Sequence, residues 1–274
     1  MAAGRARRIG RIAGFGAVAG TAWLLALWPI PSWYRGRFPR ETAFMAMRRA
    51  QATDDAPPRR YQPVPSEAIA PSMREAARVA EDYRFYQHGG LDFQAIREAM
   101  GYRRDTFALD NPADRRELRR AVLSVWSHRN EIRGASTITQ QLAKNLYLSP
   151  SRNPLRKLKE AVTAYRLEAA LGKDRIMEVY LNVVEFGPGI WGVEAASQAY
   201  FSRPAARLSR AQAALLAATL PSPLSANPGY RVGRIRWRQD LILGRMGGGA
   251  PIAPRPAAPP MEVAPPPPVQ PDSG

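Results

Sequence analysis

Residues 153–184 read NPLRKLKEAVTAYRLEAALGKDRIMEVYLNVV, and this stretch sets the expected fold class. Asn153 followed by Pro154 is an N-cap with proline at the first helical position, opening a helix that runs through Leu171. Gly172 closes it, and Asp174 opens a second helix, RIMEVYLNVV. Working outward, Ser72 and Glu75 stand in capping-box spacing at the start of MREAARVAED. Asp92 caps FQAIREAM, which stops at Gly101. Ser136 or Thr137 caps TITQQLAKNLYL, with Thr137 and Gln140 in capping-box spacing, and Ser209 with Gln212 opens RAQAALLAATL. No run alternates apolar and polar residues over six positions, so no sheet is expected. The body reads as all-α.

The two ends differ from that body. Ile12–Tyr34 is a run of 23 residues without a charge, long enough at ~1.5 Å per residue to span ~30 Å of hydrocarbon. Trp28, Trp33 and Tyr34 lie at its far end, where interfacial aromatics belong, and Pro29 and Pro31 end the helix. Arg5, Arg7, Arg8 and Arg11 precede it, although Arg35, Arg37 and Arg40 follow. An uncleaved anchor is favoured over a signal peptide, because no small-x-small site follows the apolar run. Residues 251–274 hold ten prolines and read as an extended, disordered tail. The expected organisation is a cytoplasmic N-terminus over 1–11, a transmembrane anchor over 12–34 and an irregular connector over 35–66. A folded body over 67–246 and a Pro-rich tail over 247–274 complete it.

Composition narrows the chemistry. The 274 residues include 40 Lys and Arg against 23 Asp and Glu, a balance of +17 that suggests an anionic partner. There is no cysteine, which excludes disulfides, thiolate metal sites and thiol nucleophiles. His88 and His128 are the two histidines, too few for a histidine-rich metal site. Chemistry must rest on carboxylates, hydroxyls and cations. All four lysines, Lys144, Lys157, Lys159 and Lys173, fall in one thirty-residue stretch of a chain that otherwise uses Arg. A compact ammonium and a planar guanidinium are not equivalent, so the clustering hints at a need for the smaller cation there.

Two carboxylates stand out. Glu81 ends a helix whose Met73, Ala76, Ala77 and Ala80 face a core, and a carboxylate at a helix C-terminus meets an unfavourable dipole that pushes its pKa up. That suits a general base, with a surface acid as the plain alternative and Asp82 as the competitor next door. Glu160 lies four residues after Arg156, which by itself reads as an ordinary ion pair. Lys144, Arg152, Arg156 and Lys157 cluster beside a helix N-terminus, either a basic surface or a cradle for a diphosphate. GASTITQQLAKN (134–145) sets Ser136, Thr137, Thr139, Gln140 and Gln141 in a dense row of neutral hydrogen-bonding groups, suited to a polar sugar.

AEDYRFYQHGGLD (80–92), RGASTITQQLAKNLYLSPSR (133–152), LRKLKE (155–160) and KDRIMEVYLNVVEFGPGIWGVEAASQAYF (173–201) together resemble the successive motifs of the family 51 peptidoglycan glycosyltransferases, which polymerise glycan strands from lipid II. The motifs occur in order over about 67–230. About 40 residues follow that span, and no Ser-x-x-Lys or Lys-Thr-Gly occurs, so the resemblance is to the monofunctional biosynthetic transglycosylases rather than to forms with a transpeptidase domain.

The resemblance implies a lysozyme-like domain at the outer face of the cytoplasmic membrane, with a small hydrophobic jaw at the bilayer. It implies Glu81 as the base that deprotonates the GlcNAc 4-hydroxyl of lipid II, and Glu160 as the second essential acid. Lys144, Arg152 and Lys157 would hold the donor diphosphate, and Ser136, Gln140, Gln141, Phe85 and Asn182 would line or shape the cleft. No metal-ligating residue is assigned; Mg²⁺ or Mn²⁺ at the diphosphate is the one cofactor left open. Expected partners are lipid II, the lipid-linked strand, the bilayer and proteins of cell-wall synthesis and division, with no nucleic acid. One region departs from the pattern: residues 101–133 are longer and more charged than the family's jaw, and receive no site residue. Two rival readings stay open, a lysozyme-like lytic transglycosylase and a non-catalytic membrane-tethered binder of anionic lipid or nucleic acid.

Overall fold

The computed structural model describes residues 14, 16, 18–23, 25–99, 111–127, 136–147 and 154–247. Among them ten helices carry the architecture: α1 (Ala43–Ala50), α2 (Pro71–Glu81), α3 (Phe93–Ala99), α4 (Pro112–Ser127), α5 (Ile138–Tyr147), α6 (Pro154–Leu171), α7 (Lys173–Val183), α8 (Val193–Phe201), α9 (Arg210–Thr219) and α10 (Gly233–Met246). The protein is mostly helical, but not wholly. Strands β1 (Arg60–Tyr61), β2 (Glu185–Gly187) and β3 (Ile190–Trp191) form a small sheet of order β1-β3-β2, with β1 parallel and β2 antiparallel to β3. Strands of two or three residues are too short to carry a period, which is why the expectation of no sheet fails here while the helical class holds.

The core is built where apolar faces converge. Met73, Ala76, Ala77 and Val79 of α2 meet Ile138, Leu142 and Ala143 of α5 and Ile176, Val179, Tyr180 and Leu181 of α7. The alanine-rich α9 is buried from Ala213 through Thr219, a helix apolar all round and therefore enclosed, and it packs against α2 and α10. Small side chains let these three helices approach closely. The result fixes the end of α2 between α5 and α10.

Local signals explain most of the boundaries. Thr137 and Gln140 form a reciprocal cap at α5: the Thr137 hydroxyl accepts from the Gln140 N–H at 3.1 Å, and the Gln140 side chain accepts from the Thr137 N–H at 3.1 Å. Ser209 and Gln212 do the same for α9. Asp92 accepts from the Ala95 N–H at 2.8 Å and caps α3. Two expectations are corrected. Ser72 does not cap α2, which starts at Pro71; its hydroxyl donates instead to the Leu208 carbonyl at 3.3 Å. Asp174 sits within the first turn of α7, because Gly172 (φ +74°) both ends α6 and precedes α7 directly. Asn153, Gly101 and the Pro-rich tail lie outside the described residues.

Residues 35–66 are not an irregular connector. Thr42 caps α1, Met45 is buried in the core, and Arg48 pairs with Glu185 of β2 at 3.0 Å, so this stretch is packed onto the body. Its elements are short and its composition charged, which hid them from periodicity. Its first residue and the segment before it dock on α6: the Arg35 guanidinium donates to the Ala170 carbonyl at 2.7 Å, Arg166 donates to the Leu25 carbonyl, and the Lys159 ammonium lies 4.6 Å above the Trp23 ring. Among the described residues no helix is long and apolar enough to cross a membrane.

The turn from β3 into α8 admits only glycine. Gly192 has φ +81°, and a Cβ there would stand 2.4 Å from the Asn182 carbonyl oxygen. Gly192→Ala is expected to cost about 2–4 kcal/mol and lower the unfolding midpoint by roughly 5–15 °C, measured by scanning calorimetry.

Candidate active site

Glu81 is the last residue of α2, where the helix's terminal carbonyls make the field negative. Its side chain is 11 % exposed. The carboxylate accepts from Gln141 Nε2 of α5 at 2.9 Å and from Arg238 Nη2 of α10 at 2.9 Å. Arg238 also donates to the Ala80 carbonyl at 3.0 Å, so one guanidinium serves both the acid and the helix end beneath it. Burial pushes the Glu81 carboxyl above the ordinary carboxylate range. The charges of Arg238 and Lys144 and the two hydrogen bonds pull it back only in part.

Geometry separates Glu81 from its neighbour. Asp82 is buried, one oxygen at 2.9 Å from His88 Nε2 and the other accepting the Ile138 N–H at 2.9 Å. It joins the end of α2 to the start of α5. The backbone turns at this point, so consecutive acids point into different environments.

The second acid lies on α6. Glu160 is buried, with Arg156 Nη1 at 2.8 Å and the Lys157 ammonium in a short contact on its other oxygen. The ion pair read from spacing exists, but it is enclosed rather than solvated. Lys157 also reaches the exposed Ser136 hydroxyl at 3.3 Å, tying the entrance of α5 to α6. Between the two acids stands Lys144. Burial pushes its ammonium below the usual lysine value; Glu160 and Glu81 oppose that shift, while Arg156 and Lys157 reinforce it. No described residue accepts a hydrogen bond from it, which leaves its donors available to an anion.

Of the residues expected at the site, Glu81 with Gln141, and Ser136 with Lys157 and Glu160, form two hydrogen-bonded groups, and Lys144 lies in the field of both acids. Three are placed elsewhere. Gln140 is spent on the α5 cap. Phe85 is fully buried in the core, with the Lys173 ammonium 4.3 Å above its ring. Asn182 is fully buried and clamps the chain before α2, accepting from the Val64 N–H at 2.8 Å and donating to the Val64 and Glu178 carbonyls at 2.9 and 2.8 Å. Arg152 lies outside the described residues. Sequence reasoning missed Arg238, one of 36 arginines and so invisible by type, and Tyr180, whose hydroxyl donates to Gln141 Oε1 at 2.9 Å.

A divalent cation finds little room here. Among the described residues one group of three offers ligand atoms within 4.8 Å of one another, Asp82, His88 and Asp92. Arg84 already pairs with Asp92 at 2.9 Å, and Asp82 is engaged on both oxygens. Both oxygens of Glu160 face cations as well.

Removing Arg238 tests the cost of the buried acid. Arg238→Ala is expected to destabilise the fold by roughly 1–3 kcal/mol near neutral pH, because the Ala80 carbonyl loses the guanidinium and the buried carboxylate keeps only the neutral Gln141 donor. A carboxyl whose folded pKa is raised loses stability as pH rises from its unfolded to its folded value. The substitution raises the folded value further. The difference from wild type should therefore be small at about pH 4.5 and grow by about pH 8, as read by denaturant titration at both.

Residues 104–247 match the family described as Transglycosylase. That match takes in Ser136, Gln141, Lys144, Glu160 and Arg238 and begins after Glu81. The chain is 45 % identical over 194 residues to the biosynthetic peptidoglycan transglycosylase of Bdellovibrio bacteriovorus, covering 69 % of this chain and 67 % of that one. It is 39 % identical over 234 residues to the protein of the same name from Bordetella pertussis, covering 84 % and 89 %. It is 38 % identical over 230 residues to the one from Azoarcus sp., covering 81 % and 90 %. With a family match over more than half its length and relatives 38–45 % identical that are covered to 67–90 %, this chain belongs to the transglycosylase family.

Proposed function

We propose that this transglycosylase elongates glycan strands from lipid II, with Glu81 as the base and the Lys144–Lys157–Arg156 group as the anchor of the leaving diphosphate. The observation that carries this reading is Lys144: a half-buried ammonium, without an acceptor among the described residues, in the field of both acids. Glu81 takes the proton of the GlcNAc 4-hydroxyl of lipid II. That oxygen forms a bond to the anomeric carbon of the MurNAc at the lipid-linked end of the growing strand. The bond from that carbon to the diphosphate breaks on the opposite face, and its electron pair leaves with undecaprenyl diphosphate. Inversion needs a base on one side and positive charge on the other, and diphosphate leaves without a strong general acid. Arg152, two positions before Pro154 in the sequence, would add to the same cations.

Glu160 has a supporting part in this scheme. It offsets part of the charge of Arg156 and Lys157 and holds both for the phosphates, leaving the trio one positive charge. Since its oxygens and those of Asp92 already face cations, the residues present supply charge to a diphosphate directly, and no step is assigned to Mg²⁺ or Mn²⁺.

The lysozyme-like character of the domain and its membrane anchor belong to the same reading. The apolar run over 12–34 keeps Val18, Trp23, Leu25 and Trp28 at 45–84 % exposure, a surface suited to hydrocarbon and interface rather than water. Its contacts with α6 support a bilayer lying beside the helix that carries Glu160, which would suit a substrate held by a lipid tail.

Detergent-solubilised full-length protein given labelled lipid II is expected to yield a ladder of strands that a muramidase digests. Glu81→Gln should lower the rate about 10²–10⁴-fold, and Glu160→Gln by on the order of 10²-fold. Cleavage of preformed peptidoglycan without polymer would instead favour the lytic reading.

The pH profile carries a second expectation. Glu81 works only when ionised, so activity is lost as pH falls through a value above the ordinary carboxylate range. Lys144 works only when protonated, so activity is lost as pH rises through a value below that of an ordinary lysine. A plot of kcat/KM against pH should therefore be narrower on both sides than free Glu and Lys would give.

A further inference from the structure

Tyr180 lies on α7, fully buried, with its hydroxyl donating to Gln141 Oε1 at 2.9 Å. The other end of the same amide donates to Glu81 Oε2 at 2.9 Å. A primary amide can present either its NH₂ or its carbonyl to a neighbour, and an ionised carboxylate can only accept. Of the two orientations, only one stabilises the charged Glu81. The phenol selects it by taking the carbonyl end, and a hydroxyl buried this deeply keeps its proton well past the ordinary range for tyrosine.

We infer that Tyr180 is a positioning residue: by holding the carbonyl of Gln141, it keeps the amide NH₂ on Glu81 and favours the ionised form of that acid. This rests on Glu81 being the base. The charged groups facing Glu81 come from every element packed there. Arg238 comes from α10, Lys144 from α5, and Asp82 follows it in the chain. α9 brings only Arg210 at its exposed start. None of these changes when the phenol oxygen is removed, so a shift in the acid limb would report the amide alone. Without the phenol, the amide can turn its carbonyl toward a protonated Glu81 and accept its hydrogen. The neutral carboxyl is then favoured and the base is silenced.

The test is Tyr180→Phe in the full-length enzyme, with kcat/KM for labelled lipid II followed across pH. The acid limb should move up by about one pH unit, giving about ten-fold lower kcat/KM at pH values on that limb. The alkaline limb should stay in place, and the rate should recover toward wild type above the shifted limb. Phenylalanine fills the same space, and a double-mutant cycle guards against a merely structural effect. Gln141→Met with Tyr180→Phe should be no worse than Gln141→Met alone, since Tyr180 acts only through that amide. An unshifted acid limb, a uniform fall in kcat at all pH values, or additive losses in the cycle would each overturn the inference. Glu81→Gln runs alongside. If it stays active, the assignment of the base fails and this inference fails with it. If it is inactive while Tyr180→Phe is unshifted, the positioning role alone is wrong.

Discussion

A carboxylate at the carboxyl end of a buried helix is disfavoured twice, by the loss of water and by the carbonyls that point at it. The structure around Glu81 is arranged to contain that penalty without abolishing it. Arg238 reaches from the last helix to both the acid and the Ala80 carbonyl, and Gln141 adds a neutral donor. A second cation in direct contact would leave a fully stabilised, inert carboxylate. One guanidinium and one amide leave a base that still gains by taking a proton. The convergence of α2, α5 and α10 on this point is what the alanine-rich packing of α9 makes possible.

The acid on α6 follows the opposite logic. Glu160 is paired with two cations, so its charge is spent on holding them, and a positive excess remains there and on Lys144 beside it. In the proposed reaction the two carboxylates therefore divide the work by environment rather than by chemistry. One is kept basic by burial, and the other keeps cations in place until a more strongly charged anion arrives.

The helices around the site were legible because their punctuation is local. Thr137 with Gln140 and Ser209 with Gln212 need only three residues to declare a helix start, and both caps form. The sheet was not, since β1 and β3 are two residues each and exist only because distant segments meet. Glu81 could be singled out as a helix-end acid, but its partner could not: Arg238 lies 157 positions away in a chain saturated with arginine. Asn182 and Phe85, expected to line or shape the cleft, stand in the core. Both sit in motifs that resemble those of functional residues, yet a side chain can be indispensable to a site by holding the chain that forms it. Both are fully buried.

Gly172 joins α6 to α7 with no residue to spare. The two helices that carry Glu160 and Tyr180 are thus phased against each other like meshed gears. One extra residue at that joint would turn α7 by about 100° about its axis and carry Tyr180 off the face that meets α5. This joint cannot lengthen without that rotation. Within the family, variation in chain length should collect before α5 and be absent between Glu160 and Tyr180, where spacing itself is part of the machinery.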